Sequence, residues 1–169
     1  MNKNNESTLP EKFTLFWAGP FSQWHPCQFS VAGMAFNCAE QFMMYSKAIL
    51  FHDMETAEQI LATDSPKEQK ALGRRIKNFD AQAWLLFREG IVYTGSYAKF
   101  TQNPDLEEIL LATQGTTLVE ASPYDQVWGI GLGEDNPKAN NRATWDGLNL
   151  LGETLTRVRE AIIYQQSHL

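Results

Sequence analysis

The amino-acid sequence predicts a single domain of the α+β class that is predominantly α-helical and has a small β-sheet. Six segments have helix start signals or apolar residues at helical spacing. A few short segments have the alternation and flanking turn residues that are typical of strands. The length of 169 residues fits one domain with a substantial hydrophobic core.

Composition narrows the possible functions. The net charge of −6 does not favour general nucleic-acid binding, so any phosphate must be bound by a local basic pocket. No apolar run approaches the ~20 residues of a membrane helix, and the start has no apolar segment typical of a secretory signal. A cytoplasmic protein with reduced cysteines is therefore expected. The polar residues 1–11 are predicted to be a disordered tail, and residues 12–165 to form the domain.

Strands and loops alternate with the helices. Residues 18–26 form a loop that holds Phe21 and Trp24, and exposed aromatic residues in a loop indicate a pocket wall. Residues 122–145 form a second, longer loop rich in glycine and proline, and ordered loops of this length are usually functional. The predicted strands are 12–17, 27–31 and 116–121.

Start signals define the predicted helices. Asn37, Ser65 and Asp80 are expected N-caps, because each precedes a run of helix-forming residues. Gly90 and Gly95 weaken the longest helix and allow a bend. The predicted helices are 39–50, 54–61, 66 to between 75 and 78, 81–101, 104–113 and 147 or 148 to 164.

Glu40 is the first candidate for a catalytic group. It lies in the first turn of a predicted helix among apolar neighbours, where the helix dipole favours an ionised carboxylate. Its alternative role is that of a cap, because Asn37 and Glu40 have capping-box spacing. Lys47 projects from much the same face two turns later, where it could reach a substrate phosphate or a nearby acid.

Two further clusters are candidates for ligand binding. Arg74 and Lys77 belong to a basic segment that could bind phosphate or could complement a helix C-terminus. Asp125 precedes Trp128, whose indole could stack on a base, with Gly129 allowing close backbone approach; a core tryptophan is the alternative.

A thiol nucleophile is a third possibility. Cys27 or Cys38 could pair with His25, although nothing in the sequence orients such a base. The phosphate-loop, dinucleotide and metal-binding motifs are missing from the sequence.

Taken in order, these residues resemble one known family. The resemblance extends from Phe13 to Glu160 and depends on the ordered set, not on any single motif. The family is the YbiA-like (NADAR) superfamily. The segments that carry the resemblance are Phe16, residues 21–26, Gly33, Phe36, residues 40–44 with Lys47, Gly73-Arg74, Trp84, residues 110–113 and 118–120, residues 125–129 and residues 149–152.

The resemblance implies a compact, mostly helical domain and an N-glycosidase that cleaves the C–N bond between a ribosyl carbon and a base-like amine. Family members hydrolyse phosphorylated ribosylaminopyrimidine intermediates of riboflavin biosynthesis, and others remove ADP-ribose from modified guanine. Glu40 and Asp125 are implied as catalytic acids, with Trp84 and Trp128 in the active site. The remaining substrate-binding candidates are Phe16, Ser22, Trp24, Lys47, Arg74, Lys77, Gly129 and Asn149.

The chemistry agrees with these residue types. Cleavage builds positive charge on the ribose, which a carboxylate stabilises, while a second carboxylate activates water. We expect Glu40 to activate water and Asp125 to assist at the ribose, with the reverse assignment open, and no metal or other cofactor is required. Gln23 and Ile130 depart from the family pattern, and Ile130 removes a possible acid. The alternatives are a non-catalytic ADP-ribose or nucleotide-binding module and an ADP-ribosylglycohydrolase that acts on DNA.

Overall fold

A computed structural model describes residues 10–168 and confirms an α+β fold that is mostly helical. Within these residues there are six α-helices and four short strands, and three 3₁₀ turns lie in the connections. No helix in the described range is long and apolar enough to cross a membrane. The helices are α1 (Ala39–Leu50), α2 (Met54–Leu61), α3 (Pro66–Gly73), α4 (Ala81–Thr101), α5 (Pro104–Leu111) and α6 (Leu150–Gln166).

The strands form two separate pairs. Strand β1 (Phe13–Phe16) lies parallel to β4 (Thr117–Glu120), whereas β2 (Phe29–Val31) and β3 (Met34–Phe36) form an antiparallel hairpin. The predicted small sheet is thus divided. Strand β3 escaped prediction because its three residues are too few to show alternation.

Local side-chain caps start several helices. Asp80 Oδ1 accepts hydrogen bonds from two backbone N–H groups of α4, and Ser65 Oγ accepts one in α3, which confirms both predicted caps. The prediction of Asn37 as the cap of α1 is wrong. Cys38 takes that position, with its sulfur accepting from the Gln41 N–H, and Gln41 Oε1 in turn accepts from the Asn37 N–H at 2.8 Å.

Helix α1 lies at the centre of the domain. It packs against α2, α3 and α4, while α6 covers β4 and the other side of α4. Helix α4 continues unbroken through both glycines. At Gly95 the missing side chain has a packing reason, because a Cβ there would overlap the ring of Phe42 on α1. The glycine that weakens the helix in isolation therefore leaves room for the Phe42 ring of α1.

Polar contacts join the start of the domain to the long loop and to β4. Most of the predicted N-terminal tail, residues 1–9, lies outside the described residues. Glu11 accepts hydrogen bonds from Arg142 in the long loop and from the Thr117 hydroxyl in β4. The loop 122–145 contains the 3₁₀ turns Pro137–Asn140 and Arg142–Thr144. Because Arg142 begins the second turn, its bonds to Glu11 hold this part of the loop against the start of the domain.

Candidate active site

One cavity collects most of the predicted site residues. Its volume is about 1060 Å³, and the loop 18–26, α1, α3, α4 and the residues after β4 form its walls. It lies at the carboxyl ends of the parallel strands β1 and β4, a position where parallel sheets commonly bind ligands. The ionisable and aromatic residues that line it are Glu40, Glu120, Asp125, Lys47, Lys70, Arg74, Arg88, His25, Trp17, Trp24, Trp84, Tyr124 and Trp128.

Glu40 is buried in this cavity and is not a cap. Cys38 caps α1, and Gln41, not Glu40, accepts the hydrogen bond from the Asn37 N–H. The Glu40 carboxylate therefore faces the cavity, and 5% of the residue is exposed. Burial raises the pKa of Glu40 to about 7, opposed by Lys70 and the side chain of Trp24. Burial therefore opposes the helix dipole that was expected to keep this group ionised, and the carboxyl gains or loses its proton near neutral pH.

Asp125 lies across the cavity on a tight turn. Its Oδ1 accepts hydrogen bonds from the backbone N–H groups of Val127 and Trp128, each at 2.8 Å. These bonds fix the Asp125 carboxylate against the backbone of Val127 and Trp128. The negative charge of Asp125 raises the pKa of Glu40 and of Glu120, so the three acids share one electrostatic environment.

Glu120 is the acid that sequence reasoning missed. It is the last residue of β4, and burial together with the charge of Asp125 raises its pKa to about 7. Its Oε2 is shielded from solvent and has no hydrogen-bond partner among residues 10–168. The available signals were its place in the segment 118–120, which carries the family resemblance, and its position near the end of a predicted strand. The parallel pairing that brings this strand end to the cavity is not visible in the sequence.

Asn149 holds Glu120 in place. Its side-chain oxygen accepts from the Glu120 N–H at 2.9 Å, and its Nδ2 donates to the Leu118 carbonyl at 3.0 Å. Asn149 is completely buried and precedes α6 with a left-handed backbone, φ 54°. It does not line the cavity, so the structure gives it a supporting position where substrate contact was predicted.

The cations of the cavity differ from the predicted set. Lys47 donates to the Gly73 carbonyl at 2.8 Å and lies 5.4 Å from the Trp84 ring, and Arg74 also lines the wall. Burial lowers the pKa of Lys47. Lys77 lies outside the cavity and forms a surface ion pair with Glu55. Lys70 and Arg88, which were not predicted, line the cavity instead.

Two further residues that were predicted to bind substrate, Phe16 and Gly129, do not line the cavity. Phe16 is buried in the main core beside Phe21, with ring centroids 5.4 Å apart. Gly129 is not a lining residue, and its bare Cα lets the chain approach the carbonyls of Glu120 and Asp125. Ser22, Trp24, Trp84 and Trp128 do line the cavity.

The thiols do not suit the nucleophile alternative. Burial raises the pKa of Cys38 to about 11 and also raises that of Cys27, which disfavours the thiolate that such a mechanism needs. His25 lines the cavity, and burial lowers its pKa. In the described part of the chain, no group of three or more His, Cys, Asp or Glu residues is arranged to hold a metal ion.

Comparison with known proteins identifies the class. N-glycosidase R617 of Acanthamoeba polyphaga mimivirus is 43% identical over 145 residues, which cover 83% of this chain and 85% of that protein. Protein irg-1 of Caenorhabditis elegans is 42% identical over 135 residues, 79% of this chain, and the chain spans 64% of its length. A riboflavin biosynthesis protein of Zea mays, PYRR, is 33% identical over 113 residues, 64% of this chain and 16% of that protein.

The solved structures agree with this relationship at the level of the fold. The NMR structure of the E. coli protein YbiA matches with a TM-score of 0.78 at 24% identity, covering 98% of this chain and 94% of that chain. The relatives and the acid-lined cavity define an enzyme of the N-glycosidase class. The chain belongs to the NADAR domain family, whose model matches residues 15–163.

Proposed function

We propose that this protein hydrolyses the C–N bond between the anomeric carbon of a phosphorylated ribosyl group and a base-like amine. The observation that carries the proposal is the meeting of Glu40, Glu120 and Asp125 in one cavity walled by indole rings. The likeness to a riboflavin biosynthesis protein favours a ribosylaminopyrimidine phosphate as the substrate. Lys47, Lys70, Arg74 and Arg88 supply positive charge for the phosphate in an otherwise acidic protein.

The reaction needs one proton donor and one proton acceptor. Glu40 accepts a proton from water, and the resulting hydroxide adds to the anomeric carbon as the C–N bond breaks. The bonding electron pair leaves with the amine nitrogen, which receives the proton of Glu120. Asp125 stabilises the positive charge that develops on the ribose. The products are the free sugar phosphate and the free amine.

Raised carboxyl pKa values suit this division of roles. A general acid or base works best when its pKa lies near the operating pH, and Glu40 and Glu120 both have pKa values of about 7. Because their charges repel, the first proton lost from the pair makes the second harder to lose. Near neutral pH the pair therefore holds about one proton, which leaves one donor and one acceptor.

A larger ribosyl substrate is the second candidate. The cavity of about 1060 Å³ exceeds the space that a single ribosyl phosphate needs. Trp17 and Tyr124 stand at its wall, 50% and 85% exposed, with ring centroids 6.1 Å apart. Such rings could stack on the adenine of an ADP-ribosyl group that is attached to guanine.

The Glu40→Gln variant tests the proposed catalysis. It keeps the shape of the side chain and removes the proton acceptor, so the rate of sugar phosphate release should fall by about 10²–10⁴. The assay compares a ribosylaminopyrimidine phosphate with ADP-ribosylated guanosine, and free amine is detected by mass spectrometry. Glu58→Gln on the exposed face of α2 is the matched control and should keep the wild-type rate. Binding of either compound without release of amine by the wild type would indicate a binding module instead.

A further inference from the structure

Arg88 is a cation of the cavity that has no partner of its own. It follows Trp84 by four residues on α4, so both side chains project from the same face into the cavity. Its Nε is shielded from solvent and has no hydrogen-bond partner among the described residues. A buried donor without a partner costs free energy. Among the described residues the other guanidinium nitrogens of Arg88 also have no hydrogen-bond partner, so they are left for a ligand in the cavity.

The other lysine and arginine side chains of the cavity already interact with groups of the protein. Lys47 donates to the Gly73 carbonyl at 2.8 Å. Lys70 and Arg74 lower the pKa of Glu40, and Lys70 also lowers that of Glu120. Arg88 is not among the charges that act on either acid, and in the described part of the chain no carboxylate lies within ion-pair distance of it. Its charge is therefore available to a ligand.

The neighbours of Arg88 limit the kind of ligand. The guanidinium carbon lies 6.0 Å from the centroid of the Trp128 ring, a cation–π distance that helps to hold the planar group in one orientation. A guanidinium held in this way presents two parallel N–H donors, the geometry that matches two oxygens of a phosphate. A neutral ring carbonyl would leave the positive charge uncompensated in a partly buried place.

We infer that Arg88, supported by Trp128, binds the phosphate group of the ribosyl substrate. The inference rests on the proposed function, which makes the substrate a phosphorylated ribosyl compound. It moves the phosphate contact from the segment 73–77, where the basic sequence had suggested it, to the middle of α4. Arg88 then determines specificity for the phosphorylated sugar, while the acids act at the other end of the ribose.

The test measures binding of two simple probes, ribose 5-phosphate and ribose, by titration calorimetry or ligand-observed NMR. The wild type should bind ribose 5-phosphate at least about tenfold more tightly than ribose, because charged hydrogen bonds are strong. Arg88→Gln should lower the affinity for ribose 5-phosphate by about 10–100-fold and leave the affinity for ribose unchanged. Arg88→Lys keeps the charge but not the paired donors, so it should restore only part of the affinity.

Arg75→Gln, an exposed residue outside the cavity, is the matched control and should bind both probes as the wild type does. An undiminished preference for ribose 5-phosphate in Arg88→Gln would overturn the inference. Equal losses for both probes would also overturn it, since Arg88 would then shape the cavity and not bind phosphate. Melting temperatures show whether Arg88→Gln is folded. If it is not, the affinity of Arg88→Lys for ribose 5-phosphate is the test, and an affinity equal to that of the wild type would overturn the inference. Because no turnover is measured, a failure of the glycosidase proposal would show separately, in the release assay.

Discussion

Two carboxyl groups with pKa values of about 7 lie in one cavity, and burial is the main cause at both. The charge of Asp125 raises both values further. The family resemblance, and not residue spacing, pointed to Glu40 and Asp125 as a pair of acids. It was not enough to show that Glu40 is buried or that Glu120 joins them, because both facts depend on how distant segments pack.

The pH profile of the reaction follows from these two acids. Wild-type kcat should be bell-shaped with its maximum near pH 7, since Glu40 must be ionised and Glu120 protonated. In Glu120→Gln the rate should fall by about 10²–10⁴. The decrease on the alkaline side should disappear, and the decrease on the acidic side should remain. Rates measured from pH 5 to 9 check this, and an unaltered bell in Glu120→Gln would rule out its role as the proton donor.

At the scale of elements, the loop 18–26 depends on one buried lysine. Lys99 of α4 is 1% exposed, and its Nζ donates to the carbonyls of Pro20 at 2.6 Å and Ser22 at 2.9 Å. Burial lowers its pKa to about 8. The Gln23 carbonyl accepts from the Glu40 N–H at 2.9 Å, so the loop is fastened to α1 as well. The aromatic loop was recognisable in the sequence, but its anchor lies 77 positions further along the chain.

Removing that anchor should loosen the cavity wall. Lys99→Met keeps most of the side-chain volume. It leaves the Pro20 carbonyl without a donor and the Ser22 carbonyl with only the His25 N–H, which should cost about 1–3 kcal/mol of stability. Limited proteolysis should cut the loop 18–26 faster than in the wild type, and a thermal melt should show the lower stability. Lys67→Met on the exposed face of α3 serves as the control. If the loop resisted proteolysis as it does in the wild type, the other contacts of the loop would be sufficient to hold it.

At the scale of the whole molecule, features that depend on neighbouring residues could be predicted from the sequence, and features that depend on distant segments could not. The starts of α3 and α4 could be predicted because Ser65 and Asp80 act within their own first turn. The parallel pairing of β1 with β4 could not, because nothing in either short segment specifies a partner across the intervening helices. The cavity lies at the ends of that pair, so its full set of residues was equally hidden.

The shared acids should also make the stability of the fold depend on pH. Burial raises the pKa values of Glu40 and Glu120 from the ordinary 4.5 to about 7, so the folded state binds their protons more tightly than the unfolded state. Their contribution to stability is complete below pH 4.5 and is lost as the pH rises through 7. The melting temperature should therefore decrease from pH 5 to pH 8. Burial lowers the pKa of His25 from the ordinary 6.5, which opposes this decrease below about pH 6.5, but two acids outweigh one imidazole. The lowered pKa of Lys99 makes stability depend on pH only above about pH 8.

Glu40→Gln isolates one of the two acids. It should raise the free energy of unfolding at pH 8 by on the order of 1–3 kcal/mol and have little effect at pH 5. Thermal melts at the two pH values measure the difference, with Glu58→Gln as the exposed control. An equal change at both pH values would mean that altered packing, and not proton binding, accounts for the effect.

The pairing of β1 with β4 also has a consequence for synthesis on the ribosome. Strand β1 is translated before α1 to α5, but its hydrogen-bonding partner, beginning at Thr117, is translated only after them. Until then the nascent chain can assemble helices but cannot close the strand pair. Glu120 ends that late strand, and the side chain of Asn149 that fixes it emerges later still. The acid-lined cavity is therefore completed only after α6 has been translated and has docked.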